Sequence, residues 1–262
     1  NTAETAFYGM VEGIRRYVTE KVARTIKEGG DEDEINRLLT VQPRVEKLMT
    51  KDAKLRTFIT ADADREDLVA KVYDTTYGII EPKDTLVVLD DSIVRGTTLR
   101  TSILRILDRL GMKKIIIVSS SPQIRFPDCY GIDMSKMADF VAFEAAVELI
   151  KEREETQILD EIYQACLEEE KRSNAQVTNH VTRMFDPFTP EEVSQRIGQL
   201  LTPPDMNAEV EIIYQTIEGL HKACPNHTGD WYFTGNYPTP GGNRVANRSF
   251  INFMEKKDAR AY

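Results

Sequence analysis

Two short runs of apolar, β-branched residues limit the fold of this chain more than any other feature of its sequence. Residues 86–90 read LVVLD and residues 114–121 read KIIIVSSS, and neither run alternates with polar residues. Such runs are typical of strands that are buried on both faces of a parallel sheet. The segment between them, residues 98–111, has apolar residues at helical spacing and ends on Gly111. This order predicts a strand, helix, strand unit and therefore an α/β fold, with a parallel sheet flanked by helices.

Most of the remaining sequence has helical patterns. Residues 188–201 carry the clearest start signals, with Thr189 as N-cap, Pro190 at the first helical position and a glutamate three residues after the cap. A pattern over residues 35–49 is interrupted by a proline. Residues 225–262 combine Gly, Asn and Pro with aromatic residues, which predicts an ordered but irregular tail. Further helices are expected over residues 2–27, 138–151, 156–171 and 208–222.

Composition and charge exclude several classes of function. With 262 residues, 41% of them hydrophobic, the chain can bury a substantial core. Its formal charge of −9 argues against a broad basic face for nucleic acid. No apolar run approaches the roughly 18 residues of a membrane span, so we expect a cytoplasmic protein without a membrane partner. The three cysteines form no CxxC pair, so neither a disulfide framework nor a compact zinc site is indicated.

The run at residues 86–90 ends in two adjacent carboxylates, Asp90 and Asp91, which lead into a loop with glycine and hydroxyl groups. Open α/β sheets bind ligands at the carboxyl ends of their strands. The amides of this loop, with the hydroxyls of Ser92 and Thr97, predict a phosphate cradle. Because acids beside the cradle would repel a bare anion, they would bind hydroxyl groups or a divalent cation such as Mg²⁺. A phosphorylated sugar with bound Mg²⁺ satisfies both parts.

The same residues have a simpler interpretation, which spacing alone leaves open. A strand followed by two aspartates and a Gly-Thr turn could be a capped loop without a ligand. A Walker A sequence, GxxxxGK[ST], and a GxGxxG fingerprint do not occur at this turn. Nucleoside triphosphate and dinucleotide sites of those two kinds are therefore excluded at this loop.

Residues 87–98, VVLDDSIVRGTT, closely resemble the phosphoribosyl pyrophosphate (PRPP) motif of type I phosphoribosyltransferases, in the version of the amidophosphoribosyltransferase family. Residues 1–13 resemble the pyrophosphate loop and following helix of that family, and residues 56–59 (RTFI) resemble its flexible active-site loop. Residues 119–134 (SSSPQIRFPDCYGIDM) are similar to the segment after its next strand, and residues 231–239 (WYFTGNYPT) to its C-terminal signature. The resemblance therefore extends to both ends of the chain.

The resemblance implies roles for individual residues. Asp90 and Asp91 would hold the ribose hydroxyls of PRPP, directly or through Mg²⁺. Arg56 and Thr57 would belong to a lid that closes over PRPP and excludes water. The other implied residues are Ser92, Ile93, Val94, Arg95, Gly96, Thr97 and Thr98 for the 5′-phosphate, Thr2 and Thr5 for the pyrophosphate, and Ser121, Pro122 and Arg125 for the neighbouring wall. For Arg95, pairing with a neighbouring acid is the alternative.

The reaction implied by the resemblance is displacement of pyrophosphate from C1 of PRPP by ammonia, which gives 5-phosphoribosylamine for purine synthesis. Two alternatives remain. A catalytically inactive PRPP- or nucleotide-binding regulatory protein could keep the motif, and a salvage enzyme could join a purine base to PRPP. The RTFI segment favours an enzyme, because a regulatory protein has little use for a lid over a reactive carbon. Residues 130–134 and 231–239 do not resemble salvage enzymes.

The resemblance also predicts the domain organisation. Residues 1–155 would form the phosphoribosyltransferase domain, without its first strands, and residues 156–262 would form a helical extension with an irregular tail. The glutaminase domain of the family, which releases ammonia from glutamine, has no counterpart in this sequence, so we expect a portion of a longer polypeptide. One branch of the family carries an iron–sulfur cluster, which needs four thiolates; with three cysteines, no iron–sulfur cluster is expected here. The family resemblance suggests a homo-oligomer.

Overall fold

The structure, a computed structural model, divides the chain into two compact units, Asn1–Glu81 and Pro82–Tyr262. The domain division after residue 155, which is inferred from the family resemblance, stays a prediction. Within these units the structure describes residues 2–46, 49–51, 73–75, 78–129, 134–172, 176–227 and 229–261.

The first unit begins with the predicted helix, α1 (Thr2–Lys27), and continues with α2 (Glu32–Leu39). Between them Gly29 adopts a φ of +74°, which suits glycine. The predicted helix over residues 35–49 is wrong in its bounds, because Asp31 caps the helix earlier by accepting a hydrogen bond from the amide of Glu34 at 2.7 Å. The unit also has two short antiparallel strands, β1 (Met49–Lys51) and β2 (Tyr73–Thr75).

The second unit is built on a parallel sheet of three strands in the order β3 (Thr85–Asp90), β4 (Lys114–Ser119) and β5 (Glu209–Tyr214). The two strands predicted from the apolar runs, and the α/β fold class, are confirmed. The register places Asp90, Ser119 and Tyr214 side by side at the carboxyl ends of the strands. This edge is where open parallel sheets bind ligands.

The third strand corrects a prediction. Residues 208–222 do not form one helix, because Glu209–Tyr214 pairs along the whole length of β4 and only Ile217–Ala223 is helical, as α7. Pairing supplies hydrogen-bond partners to the backbone of both strands. If residues 209–214 were helical, the backbone groups on that edge of β4 would lack these partners. The β-branched residues of the sequence EVEIIY suit this extended conformation.

The connection from β3 to β4 is helical, as predicted. It consists of a π-helical turn, Leu99–Ile103, continued by α3 (Leu104–Asp108), and Gly111 then adopts a φ of +82°. Leu104 and Leu107 of this connection are buried in the core. The connection therefore buries apolar side chains while returning the chain to the start of β4, as a strand, helix, strand unit requires.

The other helices of the second unit lie mostly where the sequence predicts them. The helix α6 (Pro190–Leu201) has the predicted capping box, in which Thr189 and Glu192 bond reciprocally to each other's amides. The irregular tail predicted for residues 225–262 is wrong: Thr239 caps a 15-residue helix, with Pro240 in its first turn. The bounds are α4 (Val141–Glu152), α5 (Gln157–Glu170), α6 (Pro190–Leu201), α8 (Trp231–Thr234) and α9 (Pro240–Met254), with 3-10 turns at Met137–Asp139 and His180–Met184.

The sheet of the second unit buries one face rather than both. Ile115 and Ile117 are fully buried and Ile212 is nearly so, and α6 packs beside them on β5. On the opposite face Val87 is 46% exposed and Ile213 is 44% exposed. The prediction that the strands are buried on both faces is therefore wrong for the face that carries Val87 and Ile213. No helix among the described residues is long and apolar enough to span a membrane.

Candidate functional site

The two predicted carboxylates lie at the carboxyl end of β3, where backbone hydrogen bonds orient them. Oδ1 of Asp90 accepts from the amide of Asp91 at 2.9 Å, and Oδ1 of Asp91 accepts from the amide of Ser92 at 2.8 Å. The end of β4 holds the same backbone, because the amide of Ser120 donates to the carbonyl of Asp90 at 2.9 Å and its hydroxyl donates to the carbonyl of Asp91 at 3.1 Å. These two hydrogen bonds to amides use one oxygen of each carboxylate.

The electrostatics of this edge favour a bound cation. Burial raises the pKa of Asp90, and the negative charge of the adjacent Asp91 raises it further. The hydroxyl of Tyr214, at the end of β5, is buried and has no hydrogen-bond partner in the part of the chain that the structure describes. Burial also raises the pKa of Tyr214, with a contribution from the charge of Asp90. A cation or a hydroxyl donor at Asp90 would relieve the cost of its buried charge.

The loop after the carboxylates is fixed by close packing at Gly96. Gly96 adopts a φ of +66°, and a Cβ atom placed on it would lie 2.4 Å from Cδ2 of Leu201. Ile93 is buried, and the carbonyl of Val94 accepts from the amide of Val141 at 2.9 Å. The loop therefore rests on the end of α6 and the start of α4, and only glycine fits at its tightest point.

The remaining loop residues differ in what they offer to a ligand. Arg95 pairs with Asp139 at 3.1 Å, which is the alternative that the sequence leaves open for it. Thr97 and Thr98 are exposed at the start of the helical connection. The first amides of a helix have no carbonyl partner within that helix. Amides and hydroxyls at this turn can therefore bind a phosphate, as the sequence predicts.

Other predicted site residues lie in the first unit or outside the described residues. Arg56 and Thr57, of the predicted lid, lie outside the described residues, as do residues 130–133. Thr2 and Thr5 lie in α1 of the first unit, and Thr5 is exposed there. The roles assigned to these residues stay predictions.

Sequence reasoning missed Tyr214. A helix over residues 208–222, as the sequence predicts, gives no reason to place Tyr214 near Asp90. In the structure this residue is the last of β5 and lies beside Ser119 at the carboxyl end of the sheet. The signal that could have found it is the β-branched content of the short segment EVEIIY, which favours a strand.

The donor set at Asp90 and Asp91 fits Mg²⁺ bound together with a substrate. Among the described residues, no group of three or more His, Cys, Asp or Glu side chains is arranged to hold a metal ion. Mg²⁺ is commonly held by one or two carboxylates together with substrate phosphates and water. Two neighbouring carboxylates beside a loop that offers amides and hydroxyls suit that arrangement, so these residues could hold Mg²⁺ as part of a metal–substrate complex.

Comparison with known proteins gives a partial match. No family model matches the chain. The amidophosphoribosyltransferase of Haemophilus influenzae is 40% identical over 98 residues, which cover 37% of this chain and 19% of that protein. That of Staphylococcus aureus is 37% identical over 98 residues, with the same coverage. The matches therefore span about a fifth of the length of these curated relatives.

Two solved structures are also similar in part. Glutamine PRPP amidotransferase from B. subtilis, complexed with ADP and GMP, is 26% identical with a TM-score of 0.41, and the match covers 74% of this chain and 32% of that one. A structure described as the allosteric regulatory enzyme of purine biosynthesis is 24% identical with a TM-score of 0.41, over 78% of this chain and 34% of that one. The resemblance predicted from residues 87–98 is confirmed by the sequence matches: this chain is similar to amidophosphoribosyltransferases.

Proposed function

We propose that the chain binds PRPP at the carboxyl end of β3 and transfers its phosphoribosyl group to ammonia. The observation that carries the proposal is the placement of Asp90 and Asp91 immediately before a loop whose glycine is packed against Leu201. Carboxylates suit the ribose hydroxyls, and the amides and hydroxyls of residues 92–98 suit the 5′-phosphate. The similarity to amidophosphoribosyltransferases supports this assignment.

In this proposal the chain acts by positioning. The C1–oxygen bond to pyrophosphate breaks as ammonia forms the new C1–nitrogen bond, and the ammonium group formed on C1 then loses a proton to water. Mg²⁺ held by Asp90, Asp91 and the substrate would neutralise charge on the departing pyrophosphate. Asp90 and Asp91 orient the ribose, and the loop fixes the 5′-phosphate, so that C1 faces the nucleophile. No covalent intermediate with a side chain is needed.

The second candidate is a regulatory protein that binds PRPP or a nucleotide without catalysis. It would use the same carboxylates and the same loop, so the geometry of residues 90–98 suits it equally well. Catalysis distinguishes the two, because the enzyme must release pyrophosphate in the presence of ammonia. The similarity to named enzymes favours the first candidate.

The test of the proposal is isothermal titration of the chain with PRPP, with and without Mg²⁺. Asp91→Asn should weaken binding by about 1–3 kcal/mol, because a charge-assisted hydrogen bond or metal ligand is lost. The double variant Asp90→Asn, Asp91→Asn should weaken it more. Asp205→Asn removes an exposed carboxylate that pairs with Arg105, and it should leave binding unchanged. Unchanged PRPP binding in the double variant would refute the proposal.

Release of pyrophosphate then separates enzyme from regulatory protein. With PRPP and Mg²⁺, ammonia should support turnover and glutamine should not, unless a glutaminase domain is supplied. Binding of PRPP without any release in the presence of ammonia would favour the regulatory protein. The homo-oligomer, the separate glutaminase domain, the cytoplasmic location and the lack of an iron–sulfur cluster also belong to this proposal; iron and sulfide analysis of the purified chain tests the last of these.

A further inference from the structure

A cavity lies in the second unit, between α6 and β5. Its volume is about 980 Å³, and its lining does not include Asp90, Asp91 or the loop that follows them. Small-molecule pockets generally have volumes of about 300–1,000 Å³. The cavity is therefore large enough for an organic ligand, at a place distinct from the acid pair.

One side of this cavity is formed by Arg125, a half-buried arginine without a carboxylate partner among the described residues. Its Nε and Nη2 atoms both donate to Oε1 of Gln123, at 3.1 and 2.7 Å. Gln123 is in turn held by the carbonyl of Pro190 at 2.7 Å and the hydroxyl of Ser194 at 2.8 Å. The guanidinium carbon lies 4.8 Å from the centroid of the Phe185 ring. The guanidinium is thus held in place on neutral groups.

A guanidinium that is fixed by neutral groups and has no carboxylate partner can bind an anion. Burying a positive charge without a counter-charge is costly, and a bound carboxylate would remove that cost. Burial lowers the pKa of Arg125. A planar carboxylate also matches the fork of N–H donors that a guanidinium presents.

The rest of the lining limits the charge and character of the ligand. Arg125 is the sole cationic side chain among the described residues that line the cavity, whereas four glutamates line it: Glu191, Glu209, Glu211 and Glu218. These acids would repel a ligand with several negative charges. Pro122, Pro190, Met206 and Ile212 add apolar surface for the body of a ligand.

We propose that the cavity between α6 and β5 binds an organic monocarboxylate, whose carboxylate is held by Arg125 and whose apolar body contacts the prolines, Met206 and Ile212. None of residues 90–98 of the proposed PRPP site lines this cavity. Pro122 and Arg125, which the resemblance assigns to the wall beside PRPP, line this cavity instead.

The experiment is isothermal titration of the whole chain with benzoate as the probe, and with benzamide as its neutral analogue of the same shape. Benzoate should bind saturably, and benzamide should bind at least about tenfold more weakly. Arg125→Gln should weaken benzoate binding at least about tenfold, the loss expected when a charge-assisted bidentate contact is removed. Arg248→Gln is the matched control, since Arg248 pairs with Glu170 at 2.7 Å and does not line the cavity; it should bind benzoate as the original chain does.

A second variant keeps the test valid if Arg125→Gln fails to fold. Gln195 is an exposed residue of α6 that lines the cavity, so Gln195→Trp should obstruct the cavity without altering the core and should also weaken benzoate binding. The Asp90→Asn, Asp91→Asn variant should bind benzoate normally, and Gln195→Trp should bind PRPP normally. Equal binding of benzoate and benzamide, no saturable binding up to about 10 mM, unaltered binding in a folded Arg125→Gln chain, or competition between benzoate and PRPP would each overturn the proposal.

Discussion

The carboxyl end of β3 and the cavity beside β5 carry partly buried side chains of opposite charge. At β3, Asp90 and Asp91 are adjacent, and burial raises the pKa of Asp90. At β5, the nearby cavity contains Arg125, whose pKa burial lowers. In both places burial disfavours the charged form of a side chain, so each end gains from a ligand of opposite charge. The β3 end thus suits a metal or hydroxyl groups, and the β5 end suits an anion.

The ends also differ in how tightly the backbone is constrained. The β3 loop passes against Leu201 at Gly96, whereas the β5 end depends on the cap of α6, whose first residue, Pro190, binds Gln123 through its carbonyl. At Gly96 an added side-chain atom would clash with Leu201. At the cap of α6 a substitution would remove only a local hydrogen bond. Substitutions at the two ends should therefore differ in their effect on the free energy of unfolding.

The largest effect is expected at the β3 loop. Gly96→Ala should lower the free energy of unfolding by about 2–4 kcal/mol, because it combines an unfavourable positive φ with a clash against Leu201. Gly111→Ala is the matched control: its φ is +82° but nothing lies within 4 Å of the added Cβ. It should cost only about 1–2 kcal/mol. Urea denaturation measures both values, and equal losses would contradict the packing argument.

A smaller effect is expected at the cap of α6. Thr189→Ala removes one half of the capping box and should lower the free energy of unfolding by about 1 kcal/mol. Thr216→Ala removes a cap from α7, where Thr216 accepts from the amide of Gly219 at 2.9 Å and no residue of the helix is buried. It should cost less, since α7 contributes less to the core. Thermal unfolding of both variants tests the order, and a larger loss for Thr216→Ala would reverse it.

The smallest effect, opposite in sign, is expected at Asp90. Asp90→Asn should raise the melting temperature of the ligand-free chain by roughly 1–3 °C at pH 7, because it removes a buried negative charge beside Asp91. A carboxyl whose pKa is raised in the folded state stabilises the fold when protonated, and this stabilisation is lost as the pH rises through that pKa. The difference between the two proteins should therefore narrow as the pH is lowered from 7. Calorimetric scans at pH 7 and pH 5 test this; a lower melting temperature for Asp90→Asn at pH 7 would contradict it.

Local signals in the sequence predicted the β3 end well. The β-branched run of residues 86–90, the helical spacing that follows and the run from residue 114 each act over a few neighbouring residues, and all three elements are present. The same holds for α6, whose cap is encoded by Thr189 and Glu192. The acid pair could be placed at a sheet edge because a strand of known direction leads into it.

The β5 end required the tertiary structure. Residues 209–214 pair with β4, about 95 positions earlier in the chain. Their β-branched residues favour an extended conformation, but the edge of β4 that selects it is provided only by the fold. Likewise, Thr239 and a proline start α9 in a stretch whose glycines and asparagines disfavour helices, and burial of residues such as Phe250 compensates for that composition.

By itself, the sequence determined the α/β class, the helical connection between the first two parallel strands and the position of the loop that follows Asp90 and Asp91. Only the tertiary structure decided which face of the sheet is buried, that Tyr214 lies beside Ser119, and that Arg125 is held against Gln123 without an acid among the described residues. The physical reason is distance along the chain: caps and apolar runs act on adjacent residues, whereas strand pairing, burial and the pKa of a side chain depend on groups that the fold brings together from remote positions.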